Sequence, residues 1–375
     1  MRRRDFIRLI GGGVVLAAAP GGCAAGPDAR AAWRNPGAGE HDPRMRALSW
    51  AILAPNPHNM QPWMADLSVS DEVTLYVDPT RLLPVTDPFN RQIVIGCGAF
   101  LELLRMAAAS EGWEATITPF PDGEPRVQLD ARPVARVSFE RAAAVSDPLF
   151  AQALNRRTSR VAFTSQDVSE AAAMRITREA LPGSISAHTL SRRGIAGLKA
   201  LAKQAARLEA DTPAAHRETC ERTFFGARDV AAHRYGIALE GPGIEAAHAV
   251  GLLTQATMAT PGSWAFKQAE GFMDPLADSA RGFVWLTTPG NSRAEQVLAG
   301  RGYLRQNLAA AAEGLAMHPW SQALQEYPAM RPLYDRLHAT LAPGGGRVQM
   351  FVRIGHVKTI ALPAPRRGLT QNLKT

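Results

Sequence analysis

The chain is poor in the residues and patterns that announce common chemistries. Three cysteines in 375 residues cannot build a disulfide framework. Cys97 sits in an apolar run and reads as a small core residue, Cys220 lies in a charged one, and no bridge between them is deducible from spacing. Gly-x-Ser-x-Gly and His-Glu-x-x-His are both absent, which removes the motif-based serine hydrolases and zinc proteases. His216 and Cys220 stand i, i+4, yet no second pair with ligand spacing accompanies them, so no metal is called. Aromatics make up only 7% of the chain and few lie among the arginines, so a formal charge of +8 is not a nucleic-acid footprint. The apolar run at 9–19 is too short and too rich in Gly for a transmembrane helix. No repeat is visible at the level of residue identity.

What is present is a large apolar content, 46%, which allows a sizeable core and two domain-sized halves. The N-terminus carries Arg3-Arg4-Asp5-Phe6-Ile7-Arg8 ahead of the short apolar run. This resembles a twin-arginine export signal, which passes proteins already folded and so with cofactor loaded. Residues 1–25 are assigned to that signal and 26–40, rich in Gly, Pro and Ala, to a linker. Localisation is then periplasmic, with Cys23 as an alternative lipid attachment point. The Gly11-Gly12-Gly13 run falls inside the signal and is not a phosphate loop.

Periodicity and breakers give an α+β order. A helix precedes about residue 53, strands are predicted at 71–77, 115–119 and 126–130, and an apolar helix spans 91–109. These make a first half over 41–140. The second, 141–375, holds helices near 147–155, 168–181, 193–209 and 331–341, strands at 282–288 and 347–354, and a long helix over 292–316 opened by a Ser292/Glu295 capping box. The region 211–278 is helical but broken by Gly241-Pro242-Gly243 and Pro261-Gly262, and is placed as a lid.

Four segments carry chemistry. Pro55, Asn56, Pro57, Asn59 and Gln61 lie in a polar elbow ending in Pro62-Trp63, where two carboxamides offer donors and acceptors suited to the edge of a heteroaromatic ring. Arg156, Arg157, Thr158 and Arg160 crowd three guanidiniums and a hydroxyl together, an arrangement that repels itself unless an anion sits between. Gly314 and Leu315 end the long helix where Gly permits close backbone approach. Arg366 and Arg367 follow the last strand.

The elbow resembles the Ser-x-x-Asn-x-Gln-Pro-Trp signature of the nitroreductase-like FMN oxidoreductases, with Asn56 in the place of Ser, and 156–160 resembles that family's Arg-Arg-Ser-x-Arg phosphate motif, with Thr158 for Ser. The order is inverted relative to the common pattern, the elbow coming first. That is what a fused dimer keeping one of two FMN sites implies, as in the family's Acg-type branch. The resemblance implies a nitroreductase-like α+β fold of two tandem halves and FMN as cofactor. The elbow and Arg366 and Arg367 would lie around the ring and phosphate, Arg156, Arg157, Thr158 and Arg160 on the phosphate, and Gly314 and Leu315 at the ring. It also implies electrons from NAD(P)H or a membrane donor and a nitroaromatic or quinone acceptor. FMN storage without turnover is the alternative. No catalytic protein nucleophile is called; the oligomer is a monomeric pseudo-dimer or a homodimer.

Overall fold

A computed structural model describes residues 28–374. Asp42 caps α1 (Pro43–Ala51) by accepting from the Arg44 amide, with Pro43 at its first position. After the elbow come β1 (Trp63–Asp66), β2 (Glu72–Val77), α2 (Arg91–Ser110), β3 (Trp113–Pro119) and β4 (Ala135–Arg141). These strands form an antiparallel sheet in the order β1-β2-β4-β3. The Asp87 carboxylate starts α2 by accepting from the Gln92 and Ile93 amides at 3.1 and 2.9 Å.

The second half runs α3 (Glu170–Thr177), β5 (Ile185–Thr189), α4 (Arg192–Asp211), α5 (Pro213–Glu221), β6 (Thr223–Phe225), α6 (Gly226–His233), β7 (Ile237–Leu239), α7 (Pro242–Ala249), α8 (Gln255–Ala259) and α9 (Trp264–Asp278). It continues with β8 (Gly282–Thr288), α10 (Arg293–Ala312), β9 (Ala316–Pro319), α11 (Arg331–Leu341) and β10 (Arg347–Gly355). Its antiparallel sheet has the order β5-β8-β10-β9. The two sheets match strand for strand, each with a 20-residue helix between its second and third members. The duplication that residue identity hides is therefore plain in the topology, and the α+β fold of two tandem halves is the one observed.

The halves meet where α2 crosses α10. Gly98 and Gly300, each the eighth residue of its helix, are in mutual contact. A Cβ on Gly98 would lie 2.2 Å from the Val297 carbonyl oxygen, and one on Gly300 1.9 Å from that of Ile95. Only a residue without a side chain permits so close a crossing. Beside it the fully buried Glu102 carboxylate pairs with Arg105, Arg301 and Arg305, and Arg305 reaches on to Asp147 and Glu179. The apolarity of α2 is thus that of a core helix, with Ile93, Val94, Phe100 and Leu104 all buried.

Three sequence expectations change. Residues 126–130 form no strand, and β4 takes the place beside β3 instead. The segment 147–155 is a 3-10 turn over Pro148–Gln152 rather than an α-helix. The described part of the supposed linker 26–40 is docked through Ala29 and Trp33. Trp33 is buried, its Nε1 donates to the Ala364 carbonyl at 2.8 Å, and the Arg366 amide donates to the Ala29 carbonyl at 2.8 Å. The chain end also returns to the first half, Leu373 bridging Ala65 beside β1. The twin-arginine signal lies outside the described residues.

Two stability outcomes follow from the crossing. Glu102→Gln leaves three guanidiniums without their buried carboxylate and costs about 3–5 kcal/mol in urea unfolding. Gly300→Ala, forced against the Ile95 carbonyl, costs at least about 1–3 kcal/mol, whereas Gly344→Ala, with no neighbouring atom to meet, lies within about 0.5 kcal/mol of wild type.

Candidate functional site

The elbow is a strained loop held shut by its own side chains. His58, Asn59 and Gln61 all have positive φ, at 47°, 54° and 51°, a region that costs non-glycine residues roughly 1–2 kcal/mol each. The Asn56 Oδ1 offsets this by accepting from the Gln61 amide at 2.8 Å, while its Nδ2 donates to the Ala54 carbonyl at 3.2 Å. Asn56 and Pro57 pack on Gly96 of α2, whose missing side chain leaves them room.

The structure brings the elbow and the arginine motif together. Arg366 is the joint: its Nη1 donates to Asn59 Oδ1 at 2.5 Å, and its Nη2 donates to the Leu53 and Ala54 carbonyls at 2.9 and 3.0 Å. Arg156 Nη2 donates to the same Leu53 carbonyl at 3.2 Å. Arg156, Arg157 and Arg366 gather around the Trp33 ring at 5.8, 5.1 and 5.3 Å from its centre. Thr158 bridges Met317, so the motif runs beside β9. Arg353 of β10 supports it from behind, donating to the Ser159 and Val161 carbonyls at 3.2 and 2.8 Å.

Electrostatically this is a buried excess of positive charge. Arg156 and Arg366 are almost fully buried, and neither they nor Arg157, Arg160, Arg353 or Arg367 pair with a carboxylate among the described residues. Burial pushes Arg156 down to about 10 and Arg353 to about 9. Arg366 falls well below its ordinary value through burial, then through the Arg156 and Arg157 charges. Arg156 Nη1, Arg222 Nε and Arg366 Nε are buried with no hydrogen-bond partner. Buried guanidiniums in native proteins are paired, so this set awaits an anion. The same field holds His58 down at about 4, through burial and then the charges of Arg160 and Arg222, and holds His318 low through burial, Arg353 and Arg160.

Other expected site residues take local roles. Asn59 Nδ2 donates to the Gly236 and Pro365 carbonyls at 3.2 and 3.0 Å. Gln61 Nε2 donates to the Arg234 carbonyl at 2.9 Å, and its Oε1 accepts from the Arg367 amide at 2.8 Å. Both carboxamides therefore fasten the C-terminal segment and the 234–236 turn to the elbow rather than presenting a free edge to a ring. Pro55 is buried. Gly314 closes α10 in a Schellman motif, with Gly314 N to Ala311 O at 3.1 Å and Leu315 N to Ala310 O at 2.8 Å, and Leu315 packs into the core with Val168 and Ile176. Among the described residues no hydrogen bond joins that pair to the guanidiniums. Cavities of about 120 and 360 Å³ lie elsewhere, around Phe89 and Glu326. Sequence reasoning missed Trp33, Arg353 and Arg222, which belong to the site only through tertiary contact; a tryptophan amid arginines in a Gly/Pro-rich stretch was the one available signal for the first.

The depressed His58 pKa has a signed consequence. The unfolded chain, with His near 6.5, takes up the proton more readily, so this contribution to stability is intact above about pH 6.5 and lost as pH falls toward 4. Asp87, raised to about 6 by burial, and Glu209, also raised, act in the opposite sense. The measurement is therefore a difference: between about pH 7.5 and 4.5, His58→Gln should lose about 2 kcal/mol less than wild type in urea unfolding.

No family model matches the chain. It is 27% identical over 330 residues, 86% of this chain and 89% of the relative, to a Mycobacterium tuberculosis protein named "Putative NAD(P)H nitroreductase Rv3131". It is 36% identical over 120 residues, 31% of this chain and 34% of the relative, to "Putative NAD(P)H nitroreductase acg" of the same species. Among solved structures, an FMN- and NADPH-dependent nitroreductase, NfnB, from a Sphigopyxis strain aligns over 61% of this chain and 99% of its own, at 18% identity and a TM-score of 0.36. Along most of its length the chain is thus similar to the mycobacterial protein of the first name, and over about a third of its length to the acg protein.

Proposed function

We propose that the chain is an FMN-dependent oxidoreductase of the nitroreductase-like class, drawing electrons from a reduced nicotinamide or a membrane donor and passing them to a nitroaromatic or a quinone. The observation that carries this reading is the carboxylate-free cluster of Arg156, Arg157 and Arg366 around Trp33, with two buried guanidinium nitrogens unpartnered. A flavin phosphate suits it, since guanidinium forks match phosphate oxygens and the charge is already desolvated. Arg156, Arg157, Arg160 and Arg366 would hold that phosphate, with Asn59 and Gln61 fixing the wall beside it. Bound FMN supplies the redox chemistry, and the protein binds, orients and shields it. The nicotinamide in the relatives' names supports a nicotinamide donor. The twin-arginine resemblance of residues 3–8 supports export of a folded, cofactor-loaded protein, for which a membrane donor would stand in for free nicotinamide.

A storage role without turnover draws on one observation of its own. The elbow's carboxamides are all engaged, and the 211–278 insertion lies across them, His58 Nε2 standing 3.1 Å from Thr219 Oγ1 and Gly236 N donating to the Asn59 carbonyl at 3.0 Å. Such closure retains a ligand and excludes a second one from stacking on it.

Purified protein should be yellow or take up FMN. Arg156→Met should weaken FMN binding at least about 10-fold, from the loss of one charge-assisted contact of ~1.5–3 kcal/mol. Its melting temperature without ligand should hold or rise, because an unpaired buried charge is removed; equal FMN content in the variant places the phosphate elsewhere. Anaerobic NADPH or a chemical reductant followed by a quinone separates turnover from storage: bleaching and recovery of the flavin band marks the enzyme, and a reduced band that the quinone leaves unchanged marks the store.

A further inference from the structure

The insertion brings a hydroxyl to the elbow as well as covering it, and that hydroxyl reaches an acid on α4. Glu209 ends α4 and Thr219 lies on α5. Thr219 Oγ1 donates to Glu209 Oε1 at 2.8 Å, His58 Nε2 lies 3.1 Å from that same Oγ1, and Glu209 Oε2 accepts from Gln325 Nε2 at 3.0 Å. The hydroxyl has a single hydrogen. With that hydrogen on Glu209, Thr219 accepts from His58 Nε2–H, and His58 Nδ1 is left bare, with no hydrogen-bond partner among the described residues. Reversing the hydrogen on Thr219 reverses both bonds together, so the three groups are coupled by geometry.

Their surroundings suit a relay in which His58 never becomes a cation. Glu209 is 7% exposed and faces no cation among the described residues. Burial pushes its carboxyl up, the hydrogen bonds from Thr219, Gln325 and Gln322 pull it back, and Glu218 pushes it up again; the Tyr327 hydroxyl lies nearby. Burial, and then the charges of Arg160 and Arg222, keep the His58 ring neutral. The neighbouring Glu218 is occupied elsewhere, accepting from Val85 N, Thr86 N and Thr86 Oγ1 at 3.0, 2.8 and 2.6 Å, and so anchors a loop.

We propose that Glu209, Thr219 and His58 form a proton relay that delivers one proton from beneath the insertion to an electron acceptor bound at the elbow, an inference that rests on the flavin-dependent reading above. The Glu209 O–H bond breaks and its proton passes to Thr219 Oγ1. The hydrogen already on Thr219 moves to His58 Nε2, and the hydrogen on His58 Nδ1 leaves for the acceptor. Glu209 ends as a carboxylate and His58 as its other neutral tautomer. A quinone that gains two electrons gains two protons: hydride transfer, fed by the reduced nicotinamide or other two-electron donor, brings one, and the relay brings the other. Thr219 and Glu209 act through His58 and are positioning and supply residues; His58 alone meets the acceptor.

The test compares two oxidants of the reduced, FMN-loaded protein. Benzoquinone needs protons and ferricyanide does not. Thr219→Val keeps the shape and removes the hydroxyl, and should lower the ratio of the benzoquinone to the ferricyanide rate about 100-fold. Glu209→Gln should lower the same ratio, and the solvent deuterium effect on the wild-type benzoquinone step should shrink in both variants. An unchanged ratio, including a parallel fall in both rates from a merely structural role, overturns the relay. A second arm needs no flavin: infrared spectra of the FMN-free protein at neutral pH should show a protonated carboxyl band that Glu209→Gln removes. Absence of that band in wild type overturns Glu209 as the acid. A chain that binds no FMN sinks the flavin reading, and the infrared arm still decides on Glu209.

Discussion

Everything in this fold is positioned by the crossing of two helices at a pair of glycines. Gly98 and Gly300 let α2 and α10 approach until the backbone of one meets the carbonyl groups of the other. Each helix belongs to its own sheet, yet Val297, Leu304 and Leu308 of α10 enter the core of the first half. The crossing thereby fixes where one half stands on the other. It also sets the elbow against α2 at Gly96 and brings α10, through the buried Tyr303, close to Arg156 and Arg160, whose charges it feels. The site lies between the halves because the crossing does.

Charge is distributed unequally around that centre. On one flank, Glu102, Asp147 and Glu179 compensate Arg105, Arg301 and Arg305 in a closed network. On the other, Arg156, Arg157, Arg160 and Arg366 have no carboxylate at all among the described residues. Both sets are largely removed from water, so the contrast is one of pairing rather than burial. A network that compensates itself is structure; a buried cluster that does not is a site poised for an anion, held ready at a cost in stability. The strained elbow adds to that cost and is kept in place by Asn56, Arg366 and the insertion. The insertion has a double part, closing the elbow and carrying Thr219 between His58 and the Glu209 of α4, which ties access to the site to the path of the proton.

Much of this was legible in the sequence where the signal was local. The capping box at Ser292 and Glu295, the apolar run of α2, the alternation of β2, the buried run of β8 and the Pro-bounded elbow were read correctly, because each depends on neighbours within a few residues. The elbow and the 156–160 motif were picked out for their residue types, and Arg366 was included with them. Strands β1, β5 and β9 were not seen: they are short, and only their partners make them strands. Residues 126–130 alternate without pairing, for β4 holds the place beside β3.

By itself the sequence determined that a rigid polar turn and a knot of arginines exist, that a large apolar core must form, and that two halves of similar order follow each other. Tertiary structure alone decided that Trp33, read as linker, is the plate on which three guanidiniums converge, and that Asn59 and Gln61 spend their amides on backbone carbonyls more than 170 residues away. It also decided that Gly314 caps a helix. The reason is physical. A helix cap or a turn is fixed by atoms a few bonds apart, whereas the pairing of a buried charge depends on which distant carbonyl or carboxylate the chain folds against it.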